Sequence, residues 1–429
     1  MVESALTFQK FVYGAEKLVS EEFKLAGRSV EAEPLLNGAP YKAFRDCIDL
    51  LDRRASGTFF TGTIKARQLA EQLRTMVHPG AMVMDPTCGM GDLLLAYAEG
   101  LPIESSLHET LISWGKQLSG FDLNPDLVRL TKARLILQAR LRGGFAGELI
   151  QSDPCFQQIQ VGDMMAAKDA LSVPDGFMFN PPFGVVKEVS DCSWSAGSVN
   201  AAALFLAELI AQKRDSSPVS AILPEVLRCG SRYEVFREYL KDLNLSGTYL
   251  SLGRFDPWTD VDVFSTLIQV SEKGRIWENN TKQKHNQFVG DRFNVHVGAV
   301  VPHRHGNKGK WHRYVCAKTT PRWATAFRPT SNRRFSGTVF QAPFVVIRRT
   351  SSPSDRNRAV GAVIVADKPV AVENHLIVLL PKDQKLETCQ RLIEVLRTDD
   401  TNEFLNSSIR CRHLTTGVVT RLPWTMSDD

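Results

Sequence analysis

The apolar run Phe177-Met178-Phe179 breaks off at Asn180-Pro181-Pro182-Phe183-Gly184. Such a run reads as a buried strand. Two prolines cannot extend a ladder, since each lacks an N–H and has a fixed φ. The strand should end in a stiff tip that presents a carboxamide (Asn180), main-chain carbonyls and a ring (Phe183). An amide acceptor beside a flat ring suits a planar group bearing an NH2. A second constellation lies upstream: Asp85-Pro86-Thr87-Cys88-Gly89-Met90-Gly91-Asp92 follows the short strand Ala81–Met84 and precedes a helix beginning at Leu93. Strand, glycine-bearing turn and helix bring a ligand against backbone N–H groups. Gly89 and Gly91 permit close approach. Asp122 closes the next strand, Gln117–Phe121, where a carboxylate can accept from both hydroxyls of a ribose. Asp163 closes a third strand that starts at Ile159. A dinucleotide fingerprint would place a further glycine at Leu94. Acids at the loop (Asp85, Asp92) also suit a positively charged ligand better than a pyrophosphate.

These motifs resemble those of adenine-N6 DNA methyltransferases that use S-adenosylmethionine, in the gamma-class order with Asn-Pro-Pro-Phe as the catalytic tetrapeptide. The resemblance covers roughly residues 56 to 425. It implies that Pro86, Cys88, Gly89 and Gly91 belong to the cofactor loop with Asp85. Asp163 would accept from the amino group of the cofactor's adenine. Phe60 and Thr61 would touch its methionine part, although Gly62 stands where the family usually has proline. Asn180 and the Pro181 carbonyl would hold the target amino group, with Pro182 stiffening the tip. Phe183 would stack on a flipped-out base. Phe264 has two readings: plain core by alternation, or the ring on the opposite side of that base.

The elements needed to position these residues can be read along the chain. Residues 1–55 look helical, with Phe8, Phe11, Val12, Ala15 and Val19 near helical spacing. Ile64 to Val77 reads as an amphipathic helix that Thr61 or Thr63 could cap. A long helix is expected from Asp126 to about Arg142. Helices at 200–214 and 233–240 alternate with strands at 219–224 and 263–270, which argues an α/β layered domain over 56–275. Val185 to Val199, rich in Ser, Gly and Asp, should be a loop over the substrate. The expected fold is therefore a Rossmann-like methyltransferase sheet with an N-terminal helical segment and, over 276–429, a mixed α/β DNA-recognition domain.

Charge supports that last part. Between residues 292 and 358 stand fourteen Lys and Arg against one acid, Asp355, although the whole chain is only +5. Aromatics interleave with the cations (Trp311, Tyr314, Trp323), the pattern of a phosphate-tracking surface. Arg333, Arg334, Arg348, Arg349, Arg356 and Arg358 are the candidate DNA contacts. Strands are expected at 342–350, 359–366 and 374–380, and a helix at 386–396. Double-stranded DNA is the expected partner, with a restriction endonuclease or specificity subunit as candidate companions.

The eight cysteines are scattered singly, with no Cys-x-x-Cys pair. Neither a zinc site nor a disulfide framework is indicated, and a reducing cytoplasm is the natural setting, which the resemblance makes prokaryotic or phage nucleoid-associated. No apolar run reaches the roughly 18 residues of a membrane span. Two rival readings stand: an RNA guanine-N2 or protein glutamine methyltransferase, which shares Asn-Pro-Pro-aromatic, and a non-catalytic DNA-binding subunit with the same fold.

Overall fold

Parallel pairing around one short central strand builds the first part of the chain. Strand β1 (Val83–Asp85) lies between β2 (Leu118–Asp122) and β4 (Gly176–Phe179), and β2 pairs outward with β3 (Ile159–Val161); all three pairings are parallel. Two short strands, β5 (Val185–Val186) and β6 (Val199–Asn200), pair with each other just past the Asn-Pro-Pro tip. Part of the loop expected there, residues 188–191 and 196, lies outside the described residues. On the other side of β4, β7 (Val219–Pro224) is parallel to it. The remaining strands of this sheet are β8 (Leu245–Gly247), β9 (Leu250–Arg254), β10 (Asp262–Val270) and β11 (Arg275–Ile276). The resulting order is β11-β8-β10-β7-β4-β1-β2-β3, with β9 beside β10, which runs antiparallel to β7, β8 and β9. The computed structural model describes residues 2–20, 32–48, 61–145, 155–187, 192–195, 197–256, 261–278, 287–306 and 308–426.

Helices cover the sheet for readable reasons. Asn124 caps the helix Pro125–Gly143 by accepting from the Asp126 N–H, proline occupies its first turn, and Gly144 ends it in the left-handed region. Asn200 caps the helix Ala201–Gln212 in the same way. The expected threonine cap of the helix Thr63–Arg74 is not made: Gly62 is the N-cap residue, with no side-chain cap bond. The N-terminal helix Val2–Ser20 buries Phe8, Val12 and Ala15 in the same core as the sheet, and its Glu16 receives Arg129 of the helix Pro125–Gly143. The helical segment is thus a layer of the first unit and not a body of its own. No helix among the described residues is long and apolar enough to cross a membrane.

The chain divides into two compact units, residues 1–228 with 233–278, and residues 229–232 with 279–429. In the second, the strands are β12 (Phe293–Val297), β13 (Lys310–Val315), β14 (Asn332–Phe335), β15 (Phe344–Arg348), β16 (Gly361–Ile364), β17 (Val370–Val372) and β18 (Leu376–Pro381). They form an antiparallel sheet β12-β18-β15-β16 and a smaller sheet β14-β13-β17. Both faces of the larger sheet are covered. Val345, Ile347, Val363 and Leu379 pack on Leu392, Ile393 and Leu396 of the helix Leu386–Leu396. Phe344, Val346, Ala362 and Val378 pack on Val315, Val370 and Val372 of the smaller sheet. Burial on two sides explains why Phe344–Ile347 is continuously apolar instead of alternating.

One sequence expectation is corrected here. Arg358 is only 1% exposed and is no phosphate contact. Its guanidinium donates to the carbonyls of Leu405 (3.1 Å), Ile409 and Cys411 (2.9 Å), and to the side chains of Ser351 and Asn406. Counting charge along a sequence treats every arginine as surface, whereas this one ties off carbonyls at the end of the helix Asp399–Ser408. Arg358→Ala should leave several buried acceptors without a donor and destabilise the second unit by about 3 kcal/mol or more. Hydrogen exchange will detect this as lost protection over 405–411; unchanged protection there refutes the role.

Candidate active site

The strand order reverses at β1: β2 and β3 lie to one side, β4 and β7 to the other. In an open parallel sheet such a switch point leaves a crevice outside the carboxyl ends of the strands. A cavity of about 320 Å3 is lined there by Thr61, Asp85, Pro86, Thr87, Cys88, Gly89, Asp92, Asp122, Asp163, Asn180 and Pro182. Apolar walls come from Phe44, Met90, Leu93, Phe121, Leu127, Met164 and Phe205. The structure therefore brings together, around one space, Thr61, the Asp85–Gly89 loop, the acids that follow β2 and β3, and the amide that follows β4.

Each polar group has a backbone reason for its position. Asp85 Oδ1 accepts from the Thr87 N–H at 3.1 Å. Asp122 is held at both oxygens, by the Gly89 N–H (3.0 Å) and the Asn124 N–H (2.8 Å). Each of these oxygens keeps a second lone pair for a ligand hydroxyl. Asp163 Oδ1 accepts from the Met165 N–H at 2.9 Å. Asn180 donates from Nδ2 to Thr61 Oγ1 at 2.9 Å, which leaves Oδ1 as the acceptor of that amide. The Asn180 carbonyl receives the Thr87 hydroxyl at 3.3 Å, joining the tip of β4 to the loop after β1.

The electrostatics are those of crowded, buried acids. Asp85 is 2% exposed. Burial pushes its carboxyl up to about 8, with the neighbouring Asp122 and Asp92 raising it further against the Thr87 hydrogen bonds. Burial also raises Asp122. One cation answers them from below. Arg134, itself 2% exposed, donates to Asp92 Oδ1 (2.9 Å), to the Met90 carbonyl, and to the carbonyls of Leu35 (2.8 Å) and Leu36 (3.2 Å). Asp92 Oδ2 in turn receives the Gly62 N–H at 3.1 Å. Gly62 has φ +71, a conformation proline cannot adopt, and proline would offer no N–H for Asp92. The glycine that departs from the family pattern is therefore required by this chain's own geometry.

Among the described residues, several expected ones do not line the cavity. Phe60 lies outside the described residues. Gly91 has φ +84 and abuts Thr131, where an added Cβ would come within 2.6 Å of the methyl; its role is packing of the loop on the helix Pro125–Gly143. Pro181 is buried and is not among the lining residues. Phe183 is 8% exposed and meets Phe255 edge-on at 5.4 Å. Phe264 is fully buried in β10 with Trp277 edge-on at 5.1 Å, so the plain-core reading of its alternation describes it and base stacking does not. Arg134 and Phe255 were not singled out in the sequence. Nothing local sets Arg134 apart from the four other basic residues of its helix, Arg129, Lys132, Arg140 and Arg142, and Phe255 carried no signal either.

In the second unit Arg334 and Arg356 are exposed, while Arg333, Arg348 and Arg349 are half-buried. The Arg348 and Arg349 N–H groups are engaged by the Val360 and His375 carbonyls at the rim of β15.

No protein-family model and no curated protein matches the chain. Among solved structures it is similar to the type IIL restriction-modification enzyme MmeI in complex with DNA, with a TM-score of 0.51 and 12% identity over 91% of this chain and 70% of that one. It is also similar to the type IIG restriction endonuclease BpuSI (TM-score 0.45, 12% identity, 91% of this chain and 62% of that one). A third is the DrdV–DNA complex (TM-score 0.46, 12% identity, 59% and 30%). The chain spans less than two thirds of the length of several such proteins. At this identity the likeness is one of fold: an open, mostly parallel Rossmann-like sheet, shared with the restriction-modification enzyme MmeI.

Proposed function

We propose that the chain is an S-adenosylmethionine-dependent DNA methyltransferase of the restriction-modification type that acts on the N6 amino group of a flipped-out adenine. The observation that carries this reading is the meeting of Asn180 with Asp85, Asp122 and Asp163 on one cavity. The residues fit the cofactor. Asp122 is pinned at both oxygens and suits a ribose diol, Phe121, Leu127 and Met164 suit a purine face, and crowded carboxyls suit a cation. When bound, S-adenosylmethionine supplies an electrophilic methyl on a positively charged sulfur.

The chain's own residues would do the rest. An adenine amino group is a poor nucleophile because its lone pair is delocalised into the ring. Asn180 Oδ1 and the Pro181 carbonyl would accept its two hydrogens and localise that lone pair on nitrogen. Thr61 holds the amide in the required sense by accepting from Nδ2. Positioning and hydrogen bonding then supply the catalysis. Extruding the base costs about a few kcal/mol, and stacking on Phe183 would return part of that cost. The basic second unit would hold the duplex, with a restriction endonuclease or specificity subunit as possible company.

Three measurements test this. Nucleoside analysis of DNA, RNA and protein from cells expressing the chain should find N6-methyladenine in DNA; N2-methylguanine in RNA or methylglutamine in protein instead would overturn the assignment. Asn180→Ala should lower methyl transfer by roughly 100- to 1,000-fold with donor affinity, followed by calorimetry, changed far less; transfer at the wild-type rate excludes the mechanism. The third concerns pH. Asp85, held protonated below about 8 by burial, must ionise to favour a cation. Affinity for S-adenosylmethionine relative to its neutral thioether product should therefore climb as pH rises toward 8 and level off above it. Asp85→Asn should flatten that profile. Without ligand the same raised pKa makes stability fall as pH rises from about 4 to about 8, so Asp85→Asn should gain in melting temperature over wild type at pH 8.5 but not at pH 4. Parallel curves for the two proteins would dismiss Asp85 as the group responsible.

A further inference from the structure

The smaller sheet of the second unit has two unlike faces. Its strands β13 and β14 pair Lys310 with Phe335, Trp311 with Arg334, His312 with Arg333, and Arg313 with Asn332. Strand β17 joins β13 only from Arg313 onward. The first three pairs therefore extend past β17 as a two-stranded ribbon. Residues directly opposite share a face, and alternate residues along each strand do too.

One face is turned inward. Phe335 is buried with Val300 and Ala371, and Tyr314 packs on that cluster. Arg333 sits over the Tyr314 ring at 5.5 Å and donates to the His305 carbonyl at 2.6 Å. The other face packs on the larger sheet through Val315, Val370 and Val372; beyond that contact it carries Trp311, Arg313, Asn332 and Arg334, all exposed, with Trp311 66% exposed. These side chains are held in place. Arg313 donates to Asn332 Oδ1 (3.2 Å) and to the Thr330 carbonyl (3.3 Å), and Arg334 donates to the Gly309 carbonyl (2.9 Å). Gly309 starts the ribbon at φ +101, where a Cβ would collide with the Phe335 backbone at 2.5 Å.

We infer that this outer face is the element that reads DNA sequence, by entering the major groove. A two-stranded ribbon fits that groove, arginine pairs in bidentate fashion with guanine, and asparagine does so with adenine. Asn332 and Arg334 are the base-reading residues, Arg313 sets the Asn332 amide, and the exposed Trp311 ring covers the groove wall. Arg333 faces inward and is a positioning residue for the ribbon. The surrounding excess of cations between residues 292 and 358, the buried Arg358 apart, supplies the attraction to phosphates that any such approach needs. The inference rests on the DNA-methyltransferase reading and goes beyond it by naming the surface that selects the site.

The test is selection of bound sequences from a random duplex DNA pool by the full chain with S-adenosylmethionine present. Wild type, Asn332→Ala and Arg334→Gln are compared, and thermal unfolding and donor binding of each are followed in parallel. Both variants replace exposed side chains and should fold and bind the donor as wild type does. The expected result is a preferred base lost at one or two positions of the enriched sequence, with discrimination there falling about ten-fold or more. If wild type enriches a sequence and both variants enrich the same one, the ribbon is not the reader while the DNA reading stands. If wild type enriches nothing from duplex DNA, or enriches only from a parallel RNA pool, both fail.

Discussion

Taking carboxylates out of water is the costly step in this structure, and the parallel sheet compels it. The registers Val83 with Leu118, Val83 with Gly176, and Gly120 with Ile159 align the carboxyl ends of four strands. Whatever follows those strands must share one edge. Here that is Asp85, Asp122, Asp163 and Asn180. An unpaired buried carboxylate is expensive, and the chain offsets it at Asp85 and Asp122 with backbone N–H groups of Thr87, Gly89 and Asn124, whereas Asp163 is exposed. What the backbone does not offset remains as a raised carboxyl at Asp85, a site that gains most from a cationic occupant.

Arg134 makes the N-terminal helical layer part of that arrangement. Its guanidinium reaches in one direction to Asp92 and Met90 of the loop, and in the other to the carbonyls of Leu35 and Leu36. Asp92 then fixes Gly62 ahead of the helix Thr63–Arg74, and Thr61 fixes the Asn180 amide. A continuous series of hydrogen bonds thus runs from residues that carry no recognisable motif to the amide proposed for catalysis. Deleting the N-terminal layer would expose a buried cation and loosen the loop, although among the described residues none of that layer before Phe44 lines the cavity.

How much of this was legible in the sequence follows from which signals are local. The strand at 219–224 and the helices after Asn124 and Asn200 were readable because length, apolarity and capping residues agree. The acids and Asn180 were readable because each sits in a contiguous motif at a strand end. Phe264 was ambiguous because alternation cannot distinguish a core ring from one lining a pocket. Arg358 was misjudged because its acceptors, from residues 405 to 411, come some fifty positions later in the chain. The polar strand Lys310–Val315 has no apolar alternation until its last residue, so β13 and β14 read as a basic, phosphate-tracking stretch with no strand signal. Their strand character comes from pairing, which no local pattern records.

The second unit separates what holds it together from what it presents. Its larger sheet is apolar on both faces, and Arg358 closes the end of the helix Asp399–Ser408, so stability resides in residues with little or no solvent contact. The exposed end of β13 and β14 lies outside that core: Val315 belongs to it, while Trp311 and Arg313 on the same side of the strand stay exposed. Exposed substitutions away from the core typically change stability by no more than about 0.5 kcal/mol. A face of this kind can change its side chains without endangering the scaffold beneath it, which is the physical condition for a surface whose specificity must be free to vary.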